Sequence, residues 1–196
     1  ITDRIFDRKS VWAAELSLEH PTTLPPKTQK ALFDLVKRTA KKLGITVGTA
    51  KADTMVTKKG PVIIEMTTRL SGGFDSQYLV PAATGKNILR VAILTAMGKP
   101  FEASLLKDTK HGVAFSDSLW PNPGEKIISI EGVEKAKKMP GFEFFYTRYV
   151  VGDIVEPLID STKRTCFAIV SGRNRQEAKK NLEKILNAIV IRTKPV

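Results

Sequence analysis

The 196-residue sequence has one cysteine, Cys166, and two histidines, His20 and His111. A lone cysteine cannot form an internal disulfide, so stability must come from a packed core, and a reducing, cytoplasmic setting is expected. Cys166 lies in the apolar run Cys166-Phe167-Ala168-Ile169-Val170, which marks a small buried hydrophobe rather than a nucleophile. Two histidines and one cysteine fall short of the four ligands of a structural zinc site. Neither histidine is accompanied by a Ser or Cys nucleophile motif. No apolar run approaches the ~20 residues needed to cross a bilayer, so no membrane partner is expected. Acidic side chains are also few, 20 against 32 basic ones, for a net charge of +12. The excess is spread over pairs such as Lys41-Lys42, Lys58-Lys59, Lys137-Lys138 and Lys179-Lys180, the pattern of solvated faces. Such a charge favours anionic partners. No RNA-binding aromatic motif, glycine-loop motif or zinc pattern accompanies it, so nucleic acid is not the expected one.

What is present is enough for a core: 42% of the residues are apolar and 27% charged, outside the disordered range. The first residue is Ile, and no signal-peptide pattern follows it, so a processed chain or a piece of a longer one is expected. Residues 11–18 read as a strand ending at His20-Pro21. Pro25-Pro26 open a helix whose apolar stripe is Leu32, Leu35, Val36, Ala40 and Leu43, with Gly44 as its stop. Segments 45–57 and 61–67 read as two strands joined by Lys58-Lys59-Gly60, a hairpin signal. Residues 69–73 form a loop, 75–83 a short helix, and 87–97 a second helix ending at Gly98. After Pro100 the character changes to short strands at 111–119, 125–130, 142–149 and 165–171, with a turn at Pro121-Asn122-Pro123-Gly124. A final helix covers about 175–187. The expectation is an α+β chain in two parts: residues 1–99 as an antiparallel sheet with helices, and residues 100–196 as a small β-rich domain.

The stretch from Asp53 to Gly73 carries the chemistry. A hairpin turning at 58–60 brings Asp53 and Glu65 opposite one another. Two carboxylates in one space repel, and a divalent cation relieves the conflict; hard Mg²⁺ takes such oxygens together with phosphate oxygens. Thr67 lies two residues after Glu65 and projects from the same strand face. Arg69 follows two further on, where a guanidinium can clamp an anionic oxygen. Ser71-Gly72-Gly73 leave backbone N–H groups open to a phosphate or carboxylate. The plain alternative is a solvated hairpin with a surface arginine.

The run Ile64-Glu65-Met66-Thr67-Thr68-Arg69 resembles the metal-binding strand of ATP-grasp enzymes, in which a Glu, an Asn two residues on and an Arg two after that are typical. Asp53 matches the acidic partner about a dozen residues upstream. The loop Arg69-Leu70-Ser71-Gly72-Gly73, with Leu79-Val80-Pro81, Ala83-Thr84-Gly85 and Ala96-Met97-Gly98-Lys99-Pro100, is similar to carboxylate–amine ligases and to the large chain of carbamoyl phosphate synthetase. Residues 110–193 look like the β-rich domain that follows the grasp. The resemblance implies the C-terminal part of such an enzyme: ATP and Mg²⁺ (or Mn²⁺) as cofactors, with Asp53, Glu65 and Thr67 toward the metal. Arg69 would be the catalytic residue, and Arg69, Ser71, Gly72 and Gly73 would face phosphate and substrate. The implied reaction activates a carboxylate as an acylphosphate and joins it to an amine, forming ADP. The implied partners are small carboxylates and amines, the missing N-terminal half of the same enzyme, and a second copy in a homodimer. Glu19 and His20 lie where related enzymes can contact substrate. Thr67 stands where the family has Asn, and the earlier half of the grasp, with its phosphate-contacting Lys, is not recognisable. The isolated chain is therefore expected to be inactive, and a non-catalytic nucleotide- or partner-binding module is the second reading.

Overall fold

The computed structural model describes residues 1–6, 14–160, 163, 164 and 166–196. Its main element is a five-stranded antiparallel sheet in the order β1-β2-β5-β8-β7, formed by β1 (Asp3–Phe6), β2 (Glu15–His20), β5 (Val113–Leu119), β8 (Cys166–Gly172) and β7 (Phe142–Thr147). Two separate two-stranded antiparallel pairs accompany it: the hairpin of β3 (Lys51–Thr57) with β4 (Gly60–Thr67), and β6 (Lys126–Glu131) with the distant β9 (Val190–Lys194). The helices are α1 (Pro26–Lys42), α2 (Val80–Thr84), α3 (Ile88–Ala96), α4 (Val133–Ala136) and α5 (Arg175–Ala188). The antiparallel α+β architecture is the one expected.

Strand alternation gives the sheet two apolar faces. On one, Val113, Phe115, Ala168 and Val170 pack with Ala136, Ala178, Ile185 and Ile189 beneath α4 and α5. On the other, Leu18, Ala114, Phe167 and Ile169 pack with Leu79, Ala82 and Ala83. Both faces of β8 are covered, which is why its run from Cys166 to Val170 is apolar throughout. Cys166 is fully buried, and burial pushes its thiol up to about 11, as befits a packing residue. α5 opens with the Asn174 side chain accepting from the Glu177 N–H, and α1 opens with Pro26 at its first position.

Several elements differ from the sequence expectation. Residues 11–13 of the expected first strand lie outside the described residues, and β2 begins at Glu15. β3 begins at Lys51 rather than 45, because Gly44 and Gly48 both take left-handed backbone angles that strands do not use. Segment 75–84 is helical but starts as a π turn over Asp75–Leu79 before α2. β1 and β9 are four- and five-residue strands too short to stand out by alternation. The sheet also draws strands from both sides of residue 100: β2 pairs with β5, Leu18 opposite Ser116 and His20 opposite Ala114, so a boundary there would cut a strand pair.

Ile169 is fully buried on the face shared with Leu79 and Phe167. Ile169→Ala should cost about 2–5 kcal/mol in urea denaturation through lost burial and the cavity left behind; a cost under about 1 kcal/mol would mean that this face is not tightly packed.

Candidate metal and phosphate site

The β3–β4 hairpin turns through Lys58-Lys59, and the Thr57 hydroxyl donates to the Gly60 carbonyl at 2.9 Å. Its register sets Asp53 opposite Glu65 and Lys51 opposite Thr67. These four side chains share one face, since cross-strand partners project together. A bulge follows the Asp53–Glu65 pair, with Thr54 opposite Ile63 and Ile64 as the extra residue. The expected opposition of the two carboxylates is therefore present.

Their surroundings differ. Asp53 is held by two cations: Lys51 Nζ at 2.6 Å from one oxygen and Arg4 Nη1 at 2.8 Å from the other. Burial by itself would raise the Asp53 carboxyl, but the Lys51 hydrogen bond and the Arg4 charge outweigh it and hold it below the usual range. Glu65 is exposed and forms no ion pair among the described residues. The Thr67 hydroxyl oxygen is buried and finds no hydrogen-bond partner among the described residues. A buried hydroxyl is ordinarily satisfied, so the missing partner singles this one out among the side chains of the hairpin. The described residues contain no cluster of three His, Cys, Asp or Glu side chains. Two carboxylates and a hydroxyl suit a hard divalent cation that completes its shell with phosphate and water, and do not suit one needing an all-protein cage.

Arg69 lies just past the end of β4, exposed, with Nη1 donating to the Leu70 carbonyl at 3.0 Å. Ser71 to Gly73 connect it to the main sheet. The Ser71 side chain hydrogen-bonds Asp75, and the Asp75 N–H donates to the Gly72 carbonyl at 3.2 Å. Asp75 is buried, and that burial raises its carboxyl. Gly73 has φ +64°, and a Cβ there would sit 3.6 Å from Nη2 of Arg164.

Arg4 is the link that sequence reasoning missed. Its Nε reaches Glu15 at 2.5 Å while Nη1 holds Asp53. Glu15 is only 7% exposed and also lies 3.3 Å from Arg164 Nη1. Lys51 was legible in principle, since it stands two residues before Asp53 on a strand; Arg4 and Arg164 reach the site through long-range contacts that no local pattern announces. Glu19 and His20 are engaged with other side chains of the sheet. Glu19 pairs with Arg175 at 2.6 Å, on the α5 side of the sheet. His20 is buried against Thr2, 2.9 Å from its hydroxyl to Nδ1. A separate cleft of about 360 Å³, lined by Lys110, His111, Gly172, Arg173 and Glu177, opens at the opposite end of the sheet from Glu15 and Arg164.

Residues 119–194 match the family described as L-amino acid ligase C-terminal domain 2. A relative in Sinorhizobium fredii, the uncharacterized protein y4rH, is 29% identical over 124 residues, 63% of this chain and 25% of its own length. Over the fold as a whole, the chain is similar to phosphoribosylglycinamide synthetase from Anaerococcus prevotii, with a TM-score of 0.84 and 17% identity, covering 98% of this chain and 49% of that one. It is similar also to L-amino acid ligase from Bacillus licheniformis, with a TM-score of 0.79 and 21% identity, covering 95% and 48%. The chain has the fold of the C-terminal part of an ATP-grasp ligase. It spans about half the length of these two structures.

Burial pushes His20 down to about 4 from an ordinary 6.5, with the Lys86 charge adding to the effect. The unfolded chain then binds a proton that the folded chain refuses. The stability from a neutral His20 is complete above pH 6.5 and is lost as pH falls toward 4. His20→Gln should flatten the acid side of the stability–pH curve in urea titrations; an unchanged slope would show that His20 ionises freely.

Proposed function

We propose that this chain is the metal- and phosphate-binding wall of an ATP- and Mg²⁺-dependent ligase that joins a carboxylate to an amine and forms ADP. The observation that carries the reading is the shared face of Asp53, Glu65 and the unsatisfied Thr67 hydroxyl, followed at once by Arg69. The similarity to L-amino acid ligase favours an amino acid as the carboxylate substrate.

A divalent cation bound here would screen the negative charge of the nucleotide phosphates. Glu65, the open carboxylate, would hold the cation, with Asp53, already paired with Lys51 and Arg4, beside it on the same face. Thr67 supplies a neutral oxygen where the family has an amide. Arg69 gives up its contact with the Leu70 carbonyl and turns to the transferring phosphoryl group, where fixed positive charge acts on developing negative charge. Ser71, Gly72 and Gly73 orient the substrate carboxylate. A carboxylate oxygen attacks the terminal phosphorus and ADP leaves; the amine nitrogen then attacks the acyl carbon, phosphate leaves, and the nitrogen gives up one proton to the departing phosphate or to water. Water must be kept from the acylphosphate, and one open wall does not do that, so turnover belongs to the intact parent enzyme.

A second reading, a nucleotide- or partner-binding module without turnover, is favoured by one observation: Lys51 and Arg4 already neutralise Asp53. Glu65→Gln separates the two. It should weaken Mn²⁺ binding by the chain about tenfold or more in electron paramagnetic resonance titrations, with an unchanged circular dichroism spectrum, and nearly abolish ligation by the parent enzyme. Mn²⁺ affinity that ignores this change removes the metal role of Glu65 and leaves the module reading.

A further inference from the structure

The segment after Gly73 is built in an unusual way. Phe74 has φ +60° and is the one non-glycine residue with a left-handed backbone among the described residues. A bulky side chain there is strained, and such strain persists where the surroundings enforce it, often beside functional sites. A π turn, itself rare and concentrated at such sites, follows over Asp75–Leu79. Together they place the Phe74 ring on the sheet face opposite α5. There it meets Phe144 at 4.6 Å, Tyr146 at 5.5 Å, Phe167 at 5.9 Å and Tyr78 at 6.1 Å between ring centroids. Tyr78 also stacks on Phe144 at 4.1 Å.

A ring cluster serving only as core would be closed over. This one is open along its rim: Tyr78 and Tyr146 are 37% and 38% exposed, and neither phenol is hydrogen-bonded among the described residues. At its root the Arg164 guanidinium lies over the Phe167 ring, 5.0 Å from the centroid, and next to Gly73. Glu15, 3.3 Å away, fixes that guanidinium in place. Arg69 adds a second positive charge at the other end of the Ser71–Gly73 loop. Arg164 is paired with Glu15 and the buried Asp75 carboxyl bonds Ser71, so Arg69, with no ion pair among the described residues, supplies the open positive charge at the loop, and the rings lie beyond it.

We propose that this wall selects the substrate's side group, and that the carboxylate taken by the parent ligase carries an aromatic ring. This rests on the ligase reading for its chemistry and deepens it. The carboxylate lies along Ser71–Gly73 near Arg164, and the ring packs on Tyr146 and Tyr78 in the tilted or offset geometry that aromatic pairs prefer. Gly73 suits the loop because its backbone is left-handed, φ +64°, while a side chain there would meet Arg164 only at ordinary contact distance. Phe74 is a positioning residue: its strained backbone presents the rings that meet the substrate.

The test needs neither metal nor nucleotide. The chain is titrated with phenylacetate, acetate and adenosine, followed by amide and aromatic nuclear magnetic resonance. Phenylacetate should shift Gly73, Phe74 and Tyr146 saturably in the millimolar range and bind about tenfold tighter than acetate. Tyr146→Ala should erase that preference while leaving acetate unaffected, and Tyr146→Phe should restore it. Tyr146 is exposed on the edge strand β7, so the fold should survive, which circular dichroism checks. Equal affinities for the two carboxylates, phenylacetate binding that does not saturate, or saturable adenosine shifts centred on the same rings would overturn the proposal. Because Glu65 and the cation take no part, a failed metal titration and a failed phenylacetate titration report on different claims.

Discussion

The arrangement depends on how one buried carboxylate is neutralised. Glu15 opens β2, the strand beside the edge of the chain's main sheet, and is almost wholly removed from water. A charge in that position is strongly unfavourable unless it is paired and hydrogen-bonded. Arg4 comes from the neighbouring edge strand to meet it, and Arg164 from the segment leading into β8. The Arg4 guanidinium is a planar fork with donors to spare. Its second arm reaches Asp53 on a different sheet altogether. The demand for neutrality in the sheet thereby anchors the hairpin that carries the candidate metal ligands.

The same chain of contacts explains the division of labour in the site. On the proposed reading, phosphate and cation would lie on the hairpin face with Lys51, Asp53, Glu65 and Thr67. The substrate, on that same reading, would meet the sheet face with Arg164 and the aromatic rings. Residues 69–74 run from one to the other, which is why their backbone is so constrained: Gly73 and Phe74 both take left-handed angles, and Asp75 is tied to Ser71 and Gly72. The connecting loop needs rigidity more than length.

Much of this was legible from local patterns. Lys58-Lys59-Gly60 between two β-rich runs was enough to place the hairpin, and counting residues from it set Asp53 against Glu65. The heptad-like spacing from Leu32 to Leu43 between Pro26 and Gly44 defined α1. What escaped was non-local. β9 is five residues whose partner β6 lies about sixty residues upstream, and nothing within either strand announces the pairing. The composition change at Pro100 is real, yet the sheet passes through it, because β2 finds its partner in β5. Arg4, Glu15 and Arg164 are ordinary residues one at a time and become a network only on folding. The strain at Phe74 is likewise a property of backbone angles and leaves no trace in residue type.

The central claim is that the hairpin face binds a divalent cation together with phosphate. Paramagnetic broadening by Mn²⁺ in the presence of ADP, read residue by residue in amide spectra of the chain, tests it most directly. Broadening should concentrate on residues 51–53 and 65–67, extend to Arg69, and spare the β6–β9 pair, since the effect falls steeply with distance from the ion. Broadening spread evenly over the surface carboxylates, or centred away from the β3–β4 hairpin, would contradict the account.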